Sequence, residues 1–170
     1  GFDGAVFISS CDKAVPAHLM AMARLNLPSV FVPGGTMPLA ANGFALEQIG
    51  NVNARFKTGE LTREQFTQYQ KDACTSCGAC QFMGTACTMQ VMAEALGLAL
   101  PHSALMPANM KYINNMAKAA GKTVVELVKK NLRARDILTE KAFHNAVVIH
   151  GAIGGSTNAL LHIPVIAREA

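Results

Sequence analysis

The sequence has no tryptophan, few aromatic residues (6%) and few charges (15%). With so little charge and 51% hydrophobic residues, it is a folded, core-forming chain and not a disordered one. No apolar stretch reaches the roughly 18–20 uncharged residues of a membrane span. A basic segment followed by a short apolar one, the mark of a secretory leader, is also missing. The net charge of +4 is spread over Lys57, Arg63, Lys71, Lys111 and the Lys129–Arg135 stretch. That stretch carries no interleaved aromatics, which disfavours nucleic-acid binding. There is no internal repeat and no low-complexity segment. The start at Gly1 and the stop at Ala170, inside a strand approach and a helix, suggest a piece of a longer protein.

Five cysteines are an odd number, and three of them fall within seven positions. With ample apolar residues for a core, a disulfide scaffold is not needed, and reduced, metal-binding cysteines in a cytoplasmic protein are expected. At 170 residues a single domain is expected.

Gly4–Ser9 reads as a buried strand, apolar on consecutive residues as parallel strands usually are. Pro16 suits the first turn of a following helix, with Leu19, Met20, Ala23 and Leu25 on its apolar face. Ser29–Val32 reads as a second strand. Strand, helix and strand in about thirty residues form a βαβ unit, hence an α/β fold with a largely parallel sheet covered by helices on both faces. Pro33-Gly34-Gly35-Thr36 then lies at the same sheet edge as Cys11. Residues 43–70 read as polar and helical, with a capping signal at Thr62-Arg63-Glu64-Gln65. Another helix runs through Met89, Val91, Met92, Ala95 and Leu96 and ends at Gly97. A loop around His102 lies between Pro101 and Pro107. Two helices are expected at Ala108–Ala119 and Val124–Arg135, the second capped by Thr123. Asn145–His150 reads as an apolar strand or buried helix end, followed by a glycine turn and a last helix.

Three groups of residues carry chemistry. Cys11-Asp12-Lys13 follows the first strand, where open α/β sheets place their sites. Cys11 suits iron and Asp12 a hard cation such as magnesium, while Lys13 could bind a metal only after losing its positive charge, as by carbamylation. Cys74-x-x-Cys77-x-x-Cys80 has a spacing that can wrap an iron–sulfur cluster. Its Gly78 permits close approach, and Cys80 lies before a helix whose dipole favours a thiolate. Zinc is disfavoured for want of a second cysteine pair, although Cys11 could complete a set of four. Gly154-Gly155-Ser156-Thr157-Asn158 resembles an anion-cradling turn at a helix start, with Ser156 as a simple N-cap the plainer alternative. The five histidines show no metal-pair spacing, and His150 stands out only because it adjoins the glycine turn. The methionines are mostly core filler.

Cys11-Asp12-Lys13-x-x-Pro16, Cys77-Gly78-Ala79-Cys80-x-x-Met83-x-Thr85-Ala86-x-Thr88-Met89 and Gly154–Asn158 resemble, in order, the signatures of the dihydroxy-acid and sugar-acid dehydratases. The family includes 6-phosphogluconate, arabinonate and xylonate dehydratases. The resemblance implies that residues 1–170 are part of an N-terminal α/β domain, with a β-rich C-terminal domain outside the chain. It implies an iron–sulfur cluster (2Fe-2S favoured over 4Fe-4S) on Cys11 and Cys80, and magnesium on Asp12 and carbamylated Lys13. Gly155, Ser156, Thr157 and Asn158 would bind substrate, and Cys77 and His150 would support the site. Cys74 would be incidental.

A third cluster cysteine and another magnesium carboxylate would lie before Gly1. A serine base and a further acidic ligand would lie after Ala170, so no catalytic base is assigned within the chain. The implied reaction removes water from a 2,3-dihydroxy carboxylate to give a 2-keto-3-deoxy acid. Cys87, where branched-chain members carry Asn and sugar-acid members Ser, and the wording Met83-Gly84-Thr85-Ala86 lean toward a sugar acid such as xylonate. Ala17 departs from a glycine common after the motif's proline. Dihydroxy-acid dehydration in branched-chain amino-acid synthesis is the alternative substrate reading. An iron–sulfur electron-transfer protein and a zinc-structured binding domain are the rivals from other classes. A homo-oligomer, dimer or tetramer, acting on a small sugar acid, with no nucleic-acid or membrane partner, is the expected assembly.

Overall fold

The computed structural model describes residues 1–170. Strands β1 (Ala5–Ser9) and β2 (Ser29–Pro33) are parallel, paired from Ala5–Ser29 through Ser9–Pro33, and helix α1 (Ala14–Leu25) connects them. The βαβ unit is therefore present as the sequence indicates. A third position beside β2 is filled by Leu98–Ala99, where the Phe31 N–H donates to the Leu98 carbonyl at 2.7 Å.

Side chains alternate along β2 and reach helices on both sides. Phe31 joins the main core with Val15, Leu19 and Met22 of α1, Met89 and Met92 of α4 (Thr85–Ala95), and Ile163 and Ile166 of α8 (Ala159–Glu169). Val30 and Val32 face the other way, onto Ala120, Val124 and Leu127 of α5 (Lys111–Lys129). The whole of β2 is buried, which is why it reads as a continuous apolar run. β1 is not the buried strand expected: it pairs with β2 alone and none of its five residues is buried, Phe7 packing against the main core while Ile8 on the opposite face is 62% exposed. Each fully buried side chain of this size stabilises the fold by about 1.5–3 kcal/mol.

Helices α2 (Ile49–Lys57) and α3 (Arg63–Ala73) form a satellite around Phe44, Val52, Leu61 and Ala73, with Phe56 stacked on Phe66 at 4.4 Å. The capping signal forms as read: Thr62 Oγ1 accepts from the Gln65 N–H, and the Thr62 N–H donates to Gln65 Oε1 at 2.9 Å. Helix α4 ends where Gly97 takes a φ of +83°. Helices α6 (Ala134–Ile137) and α7 (Glu140–Ala152) precede the glycine turn. No helix is long and apolar enough to cross a membrane.

Three further expectations are corrected. The buried face of α1 is Val15, Pro16, Leu19, Met22 and Ala23, and Leu25 is exposed. At about 100° per residue Leu25 falls off the stripe set by Val15, Leu19 and Met22. The two helices expected at 108–119 and 124–135 are the single helix α5, uncapped at Thr123. Gly121 has open space around it, so its propensity cost of about 1 kcal/mol is outweighed by burial of its neighbours against β2. Asn145–His150 is neither strand nor buried end. It lies within α7, and Val147 and Val148 are exposed.

Candidate functional site

The chain leaves both strands at one edge, and two loops start there. The Gly34 N–H donates to the Ser9 carbonyl at 2.9 Å, carrying the pairing one step beyond the strands. Thr36 then becomes the middle of a three-layered loop cluster. Its N–H donates to the Met106 carbonyl at 2.8 Å, and its carbonyl accepts from the Ala108 N–H at 2.9 Å. On its other side the Ala79 N–H donates to the Gly35 carbonyl, and the Met37 N–H donates to the Ala79 carbonyl, both at 2.8 Å. The Cys11 loop and the Cys80 loop are thus brought together by the segment after β2.

Two glycines make this clasp possible. Gly35 has φ +83°, and a Cβ there would lie 2.6 Å from the Met106 carbonyl oxygen. Gly78 has φ +112°, and a Cβ there would lie 2.8 Å from the Ala108 Cβ and 2.9 Å from the Thr36 carbonyl carbon. Both the dihedral and the close approach exclude a larger residue.

The result is a cavity of about 470 Å³ whose walls include Cys11, Asp12, Cys80, Thr85, Cys87 and Ser156. A larger groove of about 690 Å³ lies elsewhere and is mostly apolar. Its only carboxylate, Glu94, is committed to the His102 and Ala104 N–H groups at 2.7 and 3.0 Å. The reactive groups are in the smaller cavity.

Cys11 is exposed at its rim and Cys80 is half-buried. Burial pushes the Cys80 thiol up, and nearby Cys11, Cys74 and Asp12 push it further. The helix-dipole effect expected at Cys80 does not reach it, because α4 begins only at Thr85. The residue that does sit in the first turn of α4 is Cys87. It is buried, its thiol is pushed up to about 11 by burial and by Cys80, and it donates to the Cys80 carbonyl at 3.1 Å.

The even spacing of Cys74, Cys77 and Cys80 does not become a common nest. Cys74 and Cys77 are exposed and neither lines the cavity, and Cys74 Sγ rests 3.8 Å from Met37 Sδ. No three His, Cys, Asp or Glu side chains converge closely enough to hold a metal ion by themselves. Lys13 lies outside the cavity wall, with its amine 3.5 Å from Asp12 Oδ2. His162, one of the five histidines without metal-pair spacing, lies on α8; burial lowers its pKa, the Lys13 charge lowers it further and Asp12 opposes them.

The glycine turn is built differently from an anion cradle. The N–H groups of Gly154, Gly155, Ser156 and Asn158 are committed to Gly151 O, His150 O, Thr88 Oγ1 and Ser156 Oγ respectively. Of the five residues only Ser156 reaches the cavity. Its hydroxyl pairs with Thr85 Oγ1 at 2.8 Å, and Asn158 Nδ2 donates to the same Thr85 oxygen at 3.1 Å. Ser156 is not the helix cap, which falls at Asn158, and Thr157 is exposed. His150 Nε2 bonds the Ser156 carbonyl at 3.0 Å and so braces the turn, while Cys77 is exposed and off the cavity wall. Thr85 and Thr88, one helical turn apart on α4, are the anchors that sequence spacing alone did not single out.

Comparison with known proteins places the chain as a whole. The family model described as dihydroxy-acid/6-phosphogluconate dehydratase N-terminal matches residues 1–170. A dihydroxy-acid dehydratase of Syntrophobacter fumaroxidans is 44% identical over 174 residues, covering 99% of this chain and 31% of that protein. The D-xylonate dehydratase YjhG of Escherichia coli K12 is 46% identical over 165 residues, covering 96% of this chain and 25% of that protein. A dihydroxy-acid dehydratase of Clostridium pasteurianum is 44% identical over 172 residues, 99% of this chain and 60% of its own length. The chain thus spans a part, and in the first of these under a third, of the relatives it matches. With all 170 residues matched, the chain belongs to the dihydroxy-acid/6-phosphogluconate dehydratase family, in its N-terminal region.

Proposed function

We propose that this chain is the metal-binding part of a hydro-lyase that dehydrates a 2,3-dihydroxy carboxylate to a 2-keto-3-deoxy acid. The observation that carries the proposal is the meeting of Cys11, Asp12 and Cys80 around one cavity at the edge of the parallel sheet. Two thiols and a carboxylate are a mixed soft and hard donor set, suited to iron and magnesium respectively. Burial, with Cys11 and Asp12 nearby, disfavours the Cys80 thiolate, a cost that a bound cation would relieve, and this fits the donor set to the groups the family implies.

Cys11 and Cys80 would hold the iron–sulfur cluster, 2Fe-2S ahead of 4Fe-4S, and Asp12 would hold magnesium. Lys13 would add an oxygen ligand once carbamylated; its amine already lies beside Asp12. When bound, the cluster and magnesium supply Lewis acidity toward the departing hydroxyl and the charge that develops beside the carboxylate. The chain's own part is to hold those ligands at fixed places and to present the Thr85 and Ser156 hydroxyls to substrate oxygens. It contributes no base: the residue that takes the C2 proton is proposed to lie beyond Ala170. These 170 residues alone are accordingly expected to show no turnover.

For substrate, we favour a sugar acid of the xylonate type, on the wording around Met83–Cys87, over a branched-chain dihydroxy acid. An electron-transfer reading needs Cys74 and Cys77 as ligands, and their positions away from the cavity argue against it. The complete protein is proposed to be a cytoplasmic dimer or tetramer with a β-rich second domain. The test is a turnover screen of the full-length, anaerobically purified protein with magnesium against aldonates and dihydroxy acids. Keto-acid formation, faster with an aldonate, is expected. Zinc without iron or sulfide, and no turnover on either class, would sink the proposal.

A further inference from the structure

Cys80 lies in a loop outside regular structure, yet its backbone is held at successive peptides. The Ala79 N–H donates to Gly35 O, the Ala79 carbonyl accepts from the Met37 N–H, and the Cys80 carbonyl accepts from the Cys87 thiol. The Gly35 peptide that starts this series is itself held from α4: its N–H donates to Gln90 Oε1 at 3.2 Å.

Gln90 is completely buried, and its Nε2 has no partner. A buried amide with its donors unmet is costly compared with an apolar side chain of the same size. What Gln90 supplies that methionine or leucine could not is the acceptor oxygen for Gly35. Cys87 and Gln90 are three residues apart, one helical turn, and so share a face of α4. That face grips the Cys80 loop from both ends: Cys87 directly, Gln90 through Gly35 and Ala79.

We infer that Cys87 and Gln90 are positioning residues that fix the backbone of Cys80 before any inorganic centre binds, so that the thiol is presented ready-made. This rests on Cys80 being a cluster ligand, as proposed above. It gives position 87 a structural task, holding a ligand loop, beside the substrate preference read from its wording.

The test uses the full-length protein with its cluster removed by chelation. Alkylation of each cysteine by iodoacetamide is followed by site-resolved mass spectrometry in the wild type and in Cys87→Ala, Cys87→Ser and Gln90→Met. Cys80 is expected to react about fivefold faster in Cys87→Ala and Gln90→Met, the weight of one ordinary hydrogen bond. Cys74 and Cys77 serve as internal controls and keep their rates. Cys87→Ser, whose hydroxyl can still donate to the Cys80 carbonyl, is expected to return to the wild-type rate. In the loaded protein, the absorption spectrum of the cluster should shift in the two disrupted variants and not in Cys87→Ser.

Unchanged Cys80 rates in folded Cys87→Ala and Gln90→Met would overturn the inference, as would a rise shared equally by Cys74 and Cys77. Should Gln90→Met fail to fold, Cys87→Ala against Cys87→Ser decides the matter. A separate comparison isolates the underlying reading: Cys80 in the loaded wild type must be protected relative to the stripped wild type. Without that protection Cys80 is not a ligand, whatever the variants do.

Discussion

Cys74, Cys77 and Cys80 look equivalent in sequence, and the fold separates them. Only Cys80 follows the tight segment at Gly78 that crosses beneath Thr36, and only Cys80 reaches the cavity. Cysteine spacing alone could not reveal this, because the distinction depends on Gly35 and Ala108, which are far away in sequence. The family motif, in contrast, did distinguish Cys80. In the full-length protein, Cys80→Ser is expected to lose most of its iron and sulfide, and Cys74→Ser to keep both, as measured by metal analysis after anaerobic purification. Loss of iron in Cys74→Ser would revive the electron-transfer reading. Gly78→Ala forces a non-glycine residue to a φ of +112° against backbone atoms. A loss of stability of at least about 1–3 kcal/mol is expected in denaturant titration.

Among the elements, the strands and α1, α3 and α4 were legible because their signals are local: apolar runs, a capping box, a glycine stop. Helix α5 was misread as two because Gly121 and Thr123 resemble a break, while the force that joins the halves comes from Val30 and Val32 across the sheet. Since no atom lies within 4 Å of a Cβ at Gly121, Gly121→Ala should raise stability by about 0.5–1 kcal/mol. Its metal content should not change, and a thermal melt with metal analysis checks both.

The contact of α1 with α8 is pinned at its outer end by Arg24 Nε donating to Glu169 Oε2 at 2.9 Å. That hydrogen bond, with the charges of Arg24, Arg168 and Arg135, holds the Glu169 carboxyl below its ordinary value of 4.5. A carboxylate lowered on folding stabilises the protein fully above its unfolded value, and the stabilisation is lost as pH falls through the lowered value. Glu169→Gln should therefore melt below the wild type near neutral pH, with the gap closing under pH 4.5. A gap of the same size at every pH would show that the pair does not carry this contact.

For the whole molecule, an α/β arrangement with helices on both sheet faces was readable from the βαβ pattern, and so was the edge at which chemistry sits. The way the site is stitched together was not. The Thr85–Ser156–Asn158 hydrogen bonds join the second motif to the glycine turn across some seventy residues, and no local pattern reports such a pairing. Nor does any local pattern show that the N–H groups of Gly154, Gly155, Ser156 and Asn158 are already committed and that Ser156 is the turn's residue on the cavity wall. The cavity is proposed to belong to a dehydratase using thiolate-held iron and carboxylate-held magnesium. The most direct measurement is keto-acid formation by the full-length, anaerobically prepared protein given 2,3-dihydroxy acids and magnesium, beside the same protein carrying Cys80→Ser. Turnover by the wild type and none by the variant is expected; turnover that survives in Cys80→Ser would overturn the assignment of Cys80 as an iron ligand needed for the reaction.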